Sequence, residues 1–296
     1  MTDKNAAPSY GARRDHDPYF YWLARLVVGG FVTIIVFPIL YIFSLSFRTP
    51  ETAGKAFLFL IPHEVTLYNY VDAFDYASTR LGVSLPRLFW NSTFVTVMAV
   101  SLIVSFSIFA AYSFSFHKFR FKESLYTFML ASFAIPAQVL LIPLFYILRE
   151  LGILNTYAAL VLPYIAFLIP IGVLILRTFY EQIPREIMES GIIDGAGDFQ
   201  LLTRIILPIA KPAVATCVIL LFLDTWNEFI FALVFIQDPT IQTIPVALAK
   251  IAGSRYSIPV GTYAAAIVIT VLPVLAVFVL FQKWFIAGIT MGALKH

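Results

Sequence analysis

Six long hydrophobic runs, separated by shorter polar segments, dominate the pattern along this chain of 296 residues. A helix needs roughly 20 mostly apolar residues to cross a hydrocarbon layer of about 30 Å, and each run is of that order of length. The pattern therefore predicts six membrane-spanning segments. Their predicted bounds are Leu26–Phe47, Thr93–Phe116, Leu125–Leu148, Ala158–Leu176, Ala213–Ile236 and Tyr263–Ile286.

The spans are predicted to be helices, because lipid cannot hydrogen-bond a backbone amide and the runs lack the alternating pattern of a membrane barrel. The predicted fold class is all-α, a polytopic membrane protein. Residues 1–25 are predicted to form a cytoplasmic tail, and residues 26–296 a six-helix membrane domain. The tail has no short apolar core followed by a small-residue cleavage site, so we interpret the first span as an uncleaved signal anchor.

Basic residues are unevenly distributed over the connections between the predicted spans. Cytoplasmic connections of membrane proteins carry an excess of lysine and arginine. The richer side here contains the N-terminus, and six spans return the chain to that side, so both termini are predicted to lie in the cytoplasm. The basic residues on that side are Lys4, Arg13, Arg14, Arg25, Lys118, Arg120, Lys122, Arg177, Arg185, Arg204, Lys211, Lys283 and Lys295.

The composition excludes several functional classes. Hydrophobic residues make up 60% of the chain and charged residues 12%, against roughly 25% charged residues in soluble domains. The net charge of +3 comes with no basic stripe, so membrane lipid is an expected partner and nucleic acid is not. The single cysteine, Cys217, lies in an apolar run and is expected to be buried. The four histidines are scattered, so no metal site and no catalytic group is predicted.

The connection at about 180–212 is a polar interruption with its own helical pattern. Pro184 suits the start of a short amphipathic helix that ends near Asp194. Gly195 and Gly197 allow a turn with positive φ, and Asp198 is placed to cap a second helix. A short helix is marginal in water by itself, so we expect this one to pack against the span ends or a separate protein. An interfacial helix resting on lipid head groups is the alternative.

These residues carry a family resemblance. Glu189, Gly195, Ile205, Leu207 and Pro208 match the E-A-A-x3-G-x9-I-x-L-P signature of permease subunits of binding-protein-dependent ABC importers. Ser190 and Gly191 replace the two alanines of the signature. From about Leu26 to the C-terminus the chain resembles the carbohydrate-uptake subfamily, in particular the smaller permease of maltose-type transporters. Further matching segments are Ala110–Ser113, Leu151–Thr156, Ile193–Ala196, Trp226–Phe229 and Gly288–Lys295.

The resemblance implies the type I ABC importer permease fold and a set of partners. These are a second, homologous permease that completes a heterodimer, two ATPase subunits, and an extracytoplasmic solute-binding protein. It also implies that the short helix docks on an ATPase and couples ATP hydrolysis to transport. The implied coupling residues are Glu189, Ser190, Gly191, Asp194, Gly195, Ala196 and Gly197.

The chain lacks the G-x-x-x-x-G-K-[S/T] loop that grips nucleotide phosphates. We therefore expect this subunit to bind no cofactor and to have no ATPase site of its own, and we expect ATP and magnesium on the partner ATPases. The predicted function is import of a sugar or oligosaccharide across the inner, cytoplasmic membrane by alternating access. ATP supplies differential stabilisation of an inward-facing and an outward-facing state.

Polar residues interrupt the fifth predicted span. Asp224, Asn227 and Glu228 have helical spacing, and Trp226 lies among them. A carboxylate at membrane depth costs roughly 2.5–3.5 kcal/mol, so it should face a partner or a water-filled path. These four residues are candidate substrate-path residues, with Gln138 and Tyr164 as weaker candidates in neighbouring spans. Polar contacts between helices of the permease pair explain the same residues equally well.

Two other functional classes remain at this stage. An ion-coupled secondary transporter would use a buried carboxylate such as Asp224 or Glu228, and a membrane enzyme would need clustered acid, base or metal ligands. We find no convincing inverted repeat and no such cluster. The sequence leaves open which sugar or polyol is carried, including whether the sugar is acidic.

Overall fold

The computed structural model describes residues 18–53, 60–62, 64–253 and 258–293, and within these ranges the regular structure is helical throughout. The all-α class is confirmed. In chain order the helices are α1 (Pro18–Ser46), α2 (Pro50–Ala53), α3 (Tyr68–Leu81), α4 (Leu85–Phe116), α5 (Lys122–Ala131), α6 (Leu141–Glu150), α7 (Ala158–Tyr180), α8 (Arg185–Ile193), α9 (Asp198–Gln200), α10 (Leu207–Ile209), α11 (Lys211–Trp226), α12 (Ile230–Phe235), α13 (Ile244–Ala252) and α14 (Val260–Ala293).

Four predicted spans are single helices long and apolar enough to cross a membrane, namely α1, α4, α7 and α14. Helix α4 ends at Phe116 and α7 begins at Ala158, as the hydrophobic pattern predicts. Helix α1 is described from Pro18 onward, which lies inside the segment predicted to be the N-terminal tail. Residues 1–17 of the predicted tail lie outside the described residues.

The third predicted span, Leu125–Leu148, is wrong as a continuous helix. Helices α5 and α6 are separated by short 3₁₀ turns, and the two halves meet at 84°. Pro136 explains the break, because a residue that precedes proline is pushed out of the helical region. Ile135 accordingly has φ −92° and ψ 112°.

The fifth predicted span, Ala213–Ile236, is also wrong as a continuous helix. Helix α11 stops at Trp226, and α12 begins at Ile230. The carboxylate of Glu228 accepts hydrogen bonds from the backbone amides of Phe231 at 2.7 Å and Ala232 at 3.2 Å. These amides at the start of α12 have no partner within that helix, so an anionic side chain placed there stabilises a new helix start.

Helices α4, α7 and α11 form the centre of the bundle through close contacts between small side chains. Gly172 of α7 faces Ser107 of α4, and Cys217 of α11 lies beside them. Cys217 is 0% exposed, which confirms the prediction that it is buried. In a membrane the hydrophobic effect does not drive helices together, because lipid tails are as apolar as the packed side chains. Small residues stabilise the packing instead, since they let the helix backbones approach closely.

The end of the bundle that contains the start of α7 is held by side-chain amides. Asn91 of α4 donates to the carbonyl oxygens of Thr240 at 3.0 Å and Gln242 at 2.8 Å. Asn155 has φ 57°, and its side-chain oxygen accepts from the amide of Gln237 at 2.5 Å. Asparagine tolerates this left-handed conformation better than most residues. The connection after α12 is therefore fixed to the bundle.

Candidate coupling segment and translocation cavity

The coupling segment, which we define as residues 184–200, lies at the opposite end of the bundle. Helix α8 follows Pro184 and ends in a turn at Gly195, which has φ +82°. The Gly195 amide donates to the carbonyl of Ile192, and the Ala196 amide donates to that of Gly191, both at 3.0 Å. This pair of bonds is the Schellman arrangement that closes a helix C-terminus. The predicted positive φ is confirmed at Gly195.

The rest of the predicted turn differs from expectation. Gly197 has φ −73° and ψ 165°, an extended conformation that any residue adopts. Asp198 is the first residue of α9, and its side chain makes no cap. Its carboxylate instead lies 3.5 Å from the Tyr112 hydroxyl and 3.4 Å from Nε2 of His117. These contacts connect the segment to the end of α4.

One face of the segment packs against the bundle. Met188 and Gly191 of α8 are buried, and the wide π-helical turn Leu201–Ile206 lies against them. A methyl group on Gly191 would lie 2.6 Å from Cδ2 of Leu201 and 2.7 Å from Cδ1 of Ile205. The small residue at position 191 therefore serves packing within this chain, whereas the signature suggested packing against a partner. The cluster beneath continues into α4 and α7 through Tyr112, Val173, Leu176 and Tyr180.

The other face of the segment is exposed and partly apolar. Ile193 is 85% exposed, Phe199 68% and Ile192 59%. The predicted coupling residues Glu189, Ser190, Asp194, Gly195 and Gly197 are also exposed, and Ala196 is half-buried. Large aliphatic side chains displayed beside acidic ones, on a segment too short to span a membrane, are typical of a protein-binding surface.

Arg177, near the end of α7, is a residue that the sequence analysis did not single out. Its guanidinium donates to Glu123 of α5 at 3.0 and 3.1 Å and to Glu181 at 2.6 Å. It also lies 3.8 Å from the centre of the Tyr126 ring. The i,i+4 spacing of Arg177 and Glu181 is visible in the sequence, but the contact with α5 depends on the fold. The cluster joins the third and fourth spans just before the coupling segment begins.

A cavity of about 160 Å³ lies where the two broken spans face α7. Gln138, Tyr164, Asp224 and Glu228 all contribute to its wall, so residues predicted for the substrate path from three separate spans are brought together. The remaining lining residues are Ala137, Phe167, Leu168, Thr225, Ile230 and Phe231.

The two carboxylates of this cavity have different surroundings. Glu228 accepts from the Tyr164 hydroxyl at 2.6 Å in addition to the two amides of α12, so it joins α7 to the break in the fifth span. Asp224 is exposed and makes no hydrogen bond or ion pair with the part of the chain that the structure describes. Glu228 thus fits the structural alternative, and Asp224 fits a path residue.

The other two candidate path residues lie elsewhere. Trp226 is 4% exposed, and its ring packs against Phe222 and Phe89. Its indole nitrogen donates to the carbonyl of Thr270 at 3.3 Å, so in this structure the ring has no free face for a sugar. Asn227 is exposed and donates to the carbonyl of Leu223 at 2.9 Å, which closes the end of α11.

The family follows from the comparison with known sequences. The sequence profile described as "Binding-protein-dependent transport system inner membrane component" matches residues 103–291, more than half of the chain. The chain belongs to this family. It is therefore a multi-pass inner-membrane transport component rather than an enzyme, and the ion-coupled alternative is not favoured.

Curated relatives of this permease cover most of its length. The trehalose/maltose transport system permease protein MalG of Thermococcus litoralis is 34% identical over 273 residues, 91% of this chain and 96% of the relative. The sulfoquinovosyl glycerol transport system permease protein SmoH of Agrobacterium fabrum is 32% identical over 260 residues, 88% of this chain and 89% of the relative. The arabinooligosaccharides transport system permease protein AraQ of Halalkalibacterium halodurans is 31% identical and covers 96% of this chain and 99% of the relative.

Solved structures agree in fold. A bacterial ABC transporter involved in the import of the acidic polysaccharide alginate matches with a TM-score of 0.79 at 24% identity, and the match covers 94% of this chain and 100% of that one. A second match, to the alginate transporter in complex with a periplasmic protein, has a TM-score of 0.61 at 13% identity and covers 89% of this chain and 93% of the other. The likeness establishes the architecture and confirms the predicted type I importer permease fold.

Proposed function

We propose that this permease is one of two homologous membrane subunits of an ATP-driven importer that moves a sugar or oligosaccharide into the cell by alternating access. Two ATPase subunits, which hold the ATP and magnesium, and an extracytoplasmic solute-binding protein complete the assembly. The observation that carries the proposal is the exposed apolar face of the coupling segment, with Ile192 and Ile193 turned away from the bundle. Burying such side chains against another protein stabilises the contact by about 1.5–3 kcal/mol each.

The coupling segment is built to transmit a displacement. Its inner face is continuous with the cluster that includes Tyr112 of α4 and Leu176 of α7, and Asp198 lies close to Tyr112. A packed interior transmits strain because it has few voids and low compressibility. An ATPase that moves α8 would therefore move α4 and α7 with it, and α7 carries Tyr164 of the cavity wall.

The cavity is the candidate part of the translocation path within this subunit. Both helix breaks, at residues 132–140 and 227–229, lie beside it. Irregular backbone at membrane depth is tolerated where it is buried in protein or lines water, and not where it faces lipid. Asp224 adds a charge that needs water or a partner for the same reason.

The surrounding features agree with this arrangement. The apolar stretch of α1 is left uncovered by the described part of this chain, which supports contact with a second permease or with lipid. Connections rich in lysine and arginine support a cytoplasmic location for the coupling segment and both termini. The carbohydrate class rests on relatives named for trehalose and maltose, sulfoquinovosyl glycerol and arabinooligosaccharides.

The test replaces one exposed side chain of the coupling segment. The Ile193→Glu variant is expected to lose co-purification with the ATPase subunits and ATP-driven uptake, while membrane insertion stays intact. Val65, which is 70% exposed in the connection between α2 and α3, provides the matched control, and Val65→Glu should retain the ATPases. Retention of the ATPases and of uptake by Ile193→Glu would contradict the proposal.

A further inference from the structure

The cavity wall carries an uncompensated negative charge. Asp224 is exposed there without a hydrogen bond or ion pair to the described residues, and the lining contains no lysine or arginine. The second carboxylate, that of Glu228, is held by two amides at the start of α12 and by the Tyr164 hydroxyl. The dipoles of these donors partly offset the field of the Glu228 carboxylate, whereas no described donor offsets that of Asp224.

A carboxylate in this position treats neutral and acidic sugars differently. Hydroxyl groups of an uncharged sugar donate to it, and hydrogen bonds to an ionised acceptor are roughly twice as strong as those between neutral groups. The carboxylate or sulfonate of an acidic sugar is repelled. Low-dielectric walls concentrate the electric field of the carboxylate inside the cavity, so a single charge can repel an anionic solute across its width.

We propose that Asp224 is a specificity-determining residue that favours uncharged sugars and disfavours acidic ones in the path of this permease. This inference rests on the proposed function, because it takes the cavity to be part of the translocation path. The alginate transporter that shares the fold is described as an importer of an acidic polysaccharide, and it is 24% identical to this chain.

The experiment measures the potential in the cavity with charged thiol reagents. A reporter thiol is introduced by Gln138→Cys, because Gln138 is exposed on the cavity wall. The native Cys217 is fully buried, so the parent protein supplies the background. The assembled importer is treated with a cationic trimethylammonium and an anionic sulfonate methanethiosulfonate. The ratio of their rates is divided by the same ratio for a free thiol, which removes differences in intrinsic reactivity.

The reporter protein is expected to favour the cationic reagent, and adding Asp224→Asn should lower the normalised ratio by about fivefold, the effect of one unit charge at about 8 Å in water. Asp224→Glu keeps the charge and should preserve the ratio. Asp238→Asn removes an exposed carboxylate from the connection after α12 and should leave the ratio unchanged.

An unchanged ratio in Asp224→Asn would overturn the inference, and so would a reporter thiol that neither reagent reaches. If Asp224→Asn fails to assemble, the reporter protein alone still gives the sign of the potential, and a normalised ratio that favours the anionic reagent would overturn the inference. Labelling needs no transport, so its outcome is separate from the Ile193→Glu test of ATPase coupling. If the cavity thiol reacts faster with the cationic reagent but the protein binds no ATPase, the proposed function is refuted while the inferred negative potential at the cavity stands.

Discussion

Gly195 allows the shape of the turn after α8 to be tested separately from its contacts. The residue has φ +82°, and nothing lies within 4 Å of the position that a Cβ atom would occupy. A side chain therefore has room, and the cost of substitution comes from the backbone conformation. Because the amide of Gly195 and that of Ala196 close the end of α8, a change in φ opens both bonds.

The magnitude follows from the left-handed conformation. An L-residue other than glycine pays roughly 1–2 kcal/mol there, and a β-branched residue is at the upper end. Since about 1.4 kcal/mol corresponds to a factor of ten, Gly195→Val should shift the turn toward its open form by about 5- to 30-fold. Asparagine visits this conformation more readily, so Gly195→Asn should shift it much less.

The assay compares these two variants in the reconstituted importer. ATP-driven uptake should fall in the order glycine, asparagine, valine, with equal amounts of inserted protein. Hydrogen exchange at the Ala196 amide, which bonds to the Gly191 carbonyl at 3.0 Å, should speed up in the same order. Equal loss in both variants would show that the position acts through a side-chain clash with a partner. Full activity of Gly195→Val would refute a role for the turn.

Two further predictions concern charged groups at opposite ends of the bundle. Arg177→Ala should lower the free energy of unfolding by about 1–2 kcal/mol, because two partly exposed ion pairs and the contact with the Tyr126 ring are lost while water solvates the glutamates left behind. Arg177→Lys should recover part of the loss, and an unchanged thermal unfolding midpoint for Arg177→Ala would contradict this. The amide and hydroxyl of Thr240 donate to Asp238 and lower the pKa of its carboxyl below 3.8. The Thr240 amide should therefore be fully protected from hydrogen exchange above the pKa that Asp238 has in the unfolded chain. This protection should disappear as the pH falls through the lower pKa of Asp238 in the folded protein. The Asp238→Asn variant should show no such pH dependence in that range.

The hydrophobic pattern predicts where helices lie but not where they break. The hydrophobic runs correctly predict the last residue of α4 and the first residue of α7, because a membrane span must be long and apolar. The same criterion cannot detect a break inside an apolar run. Pro136 is visible in the sequence, yet membrane helices often accommodate proline, so the 84° bend depends on packing. The break at residues 227–229 depends on the Glu228 side chain bonding to its own backbone downstream.

The same limitation applies to the candidate sites. The coupling segment was predictable because it is polar, short and punctuated by Gly195, all local properties of the sequence. The path residues were grouped on the assumption of one unbroken helix. Asp224 and Trp226 lie two residues apart in α11 and therefore point about 200° apart, so Asp224 lines the cavity while Trp226 lies in the core. Glu228 lies beyond the end of α11 and reaches the same cavity. Arg177 was missed because its contact with Glu123 joins two distant parts of the chain.

The departures from the family signature can be explained by the two faces of α8. Gly191 lies on the inner face, where a methyl group would overlap both Leu201 and Ile205 of the wide π-helical turn. Glycine costs roughly 1 kcal/mol in helix propensity relative to alanine, but an alanine here would require the ends of the Leu201 and Ile205 side chains to move. Glycine at this position therefore suits the packing of this particular turn. Glu189 and Gly195, which keep the signature residues, are both exposed, so the face offered to a partner follows the family pattern while the inner face adapts to this bundle.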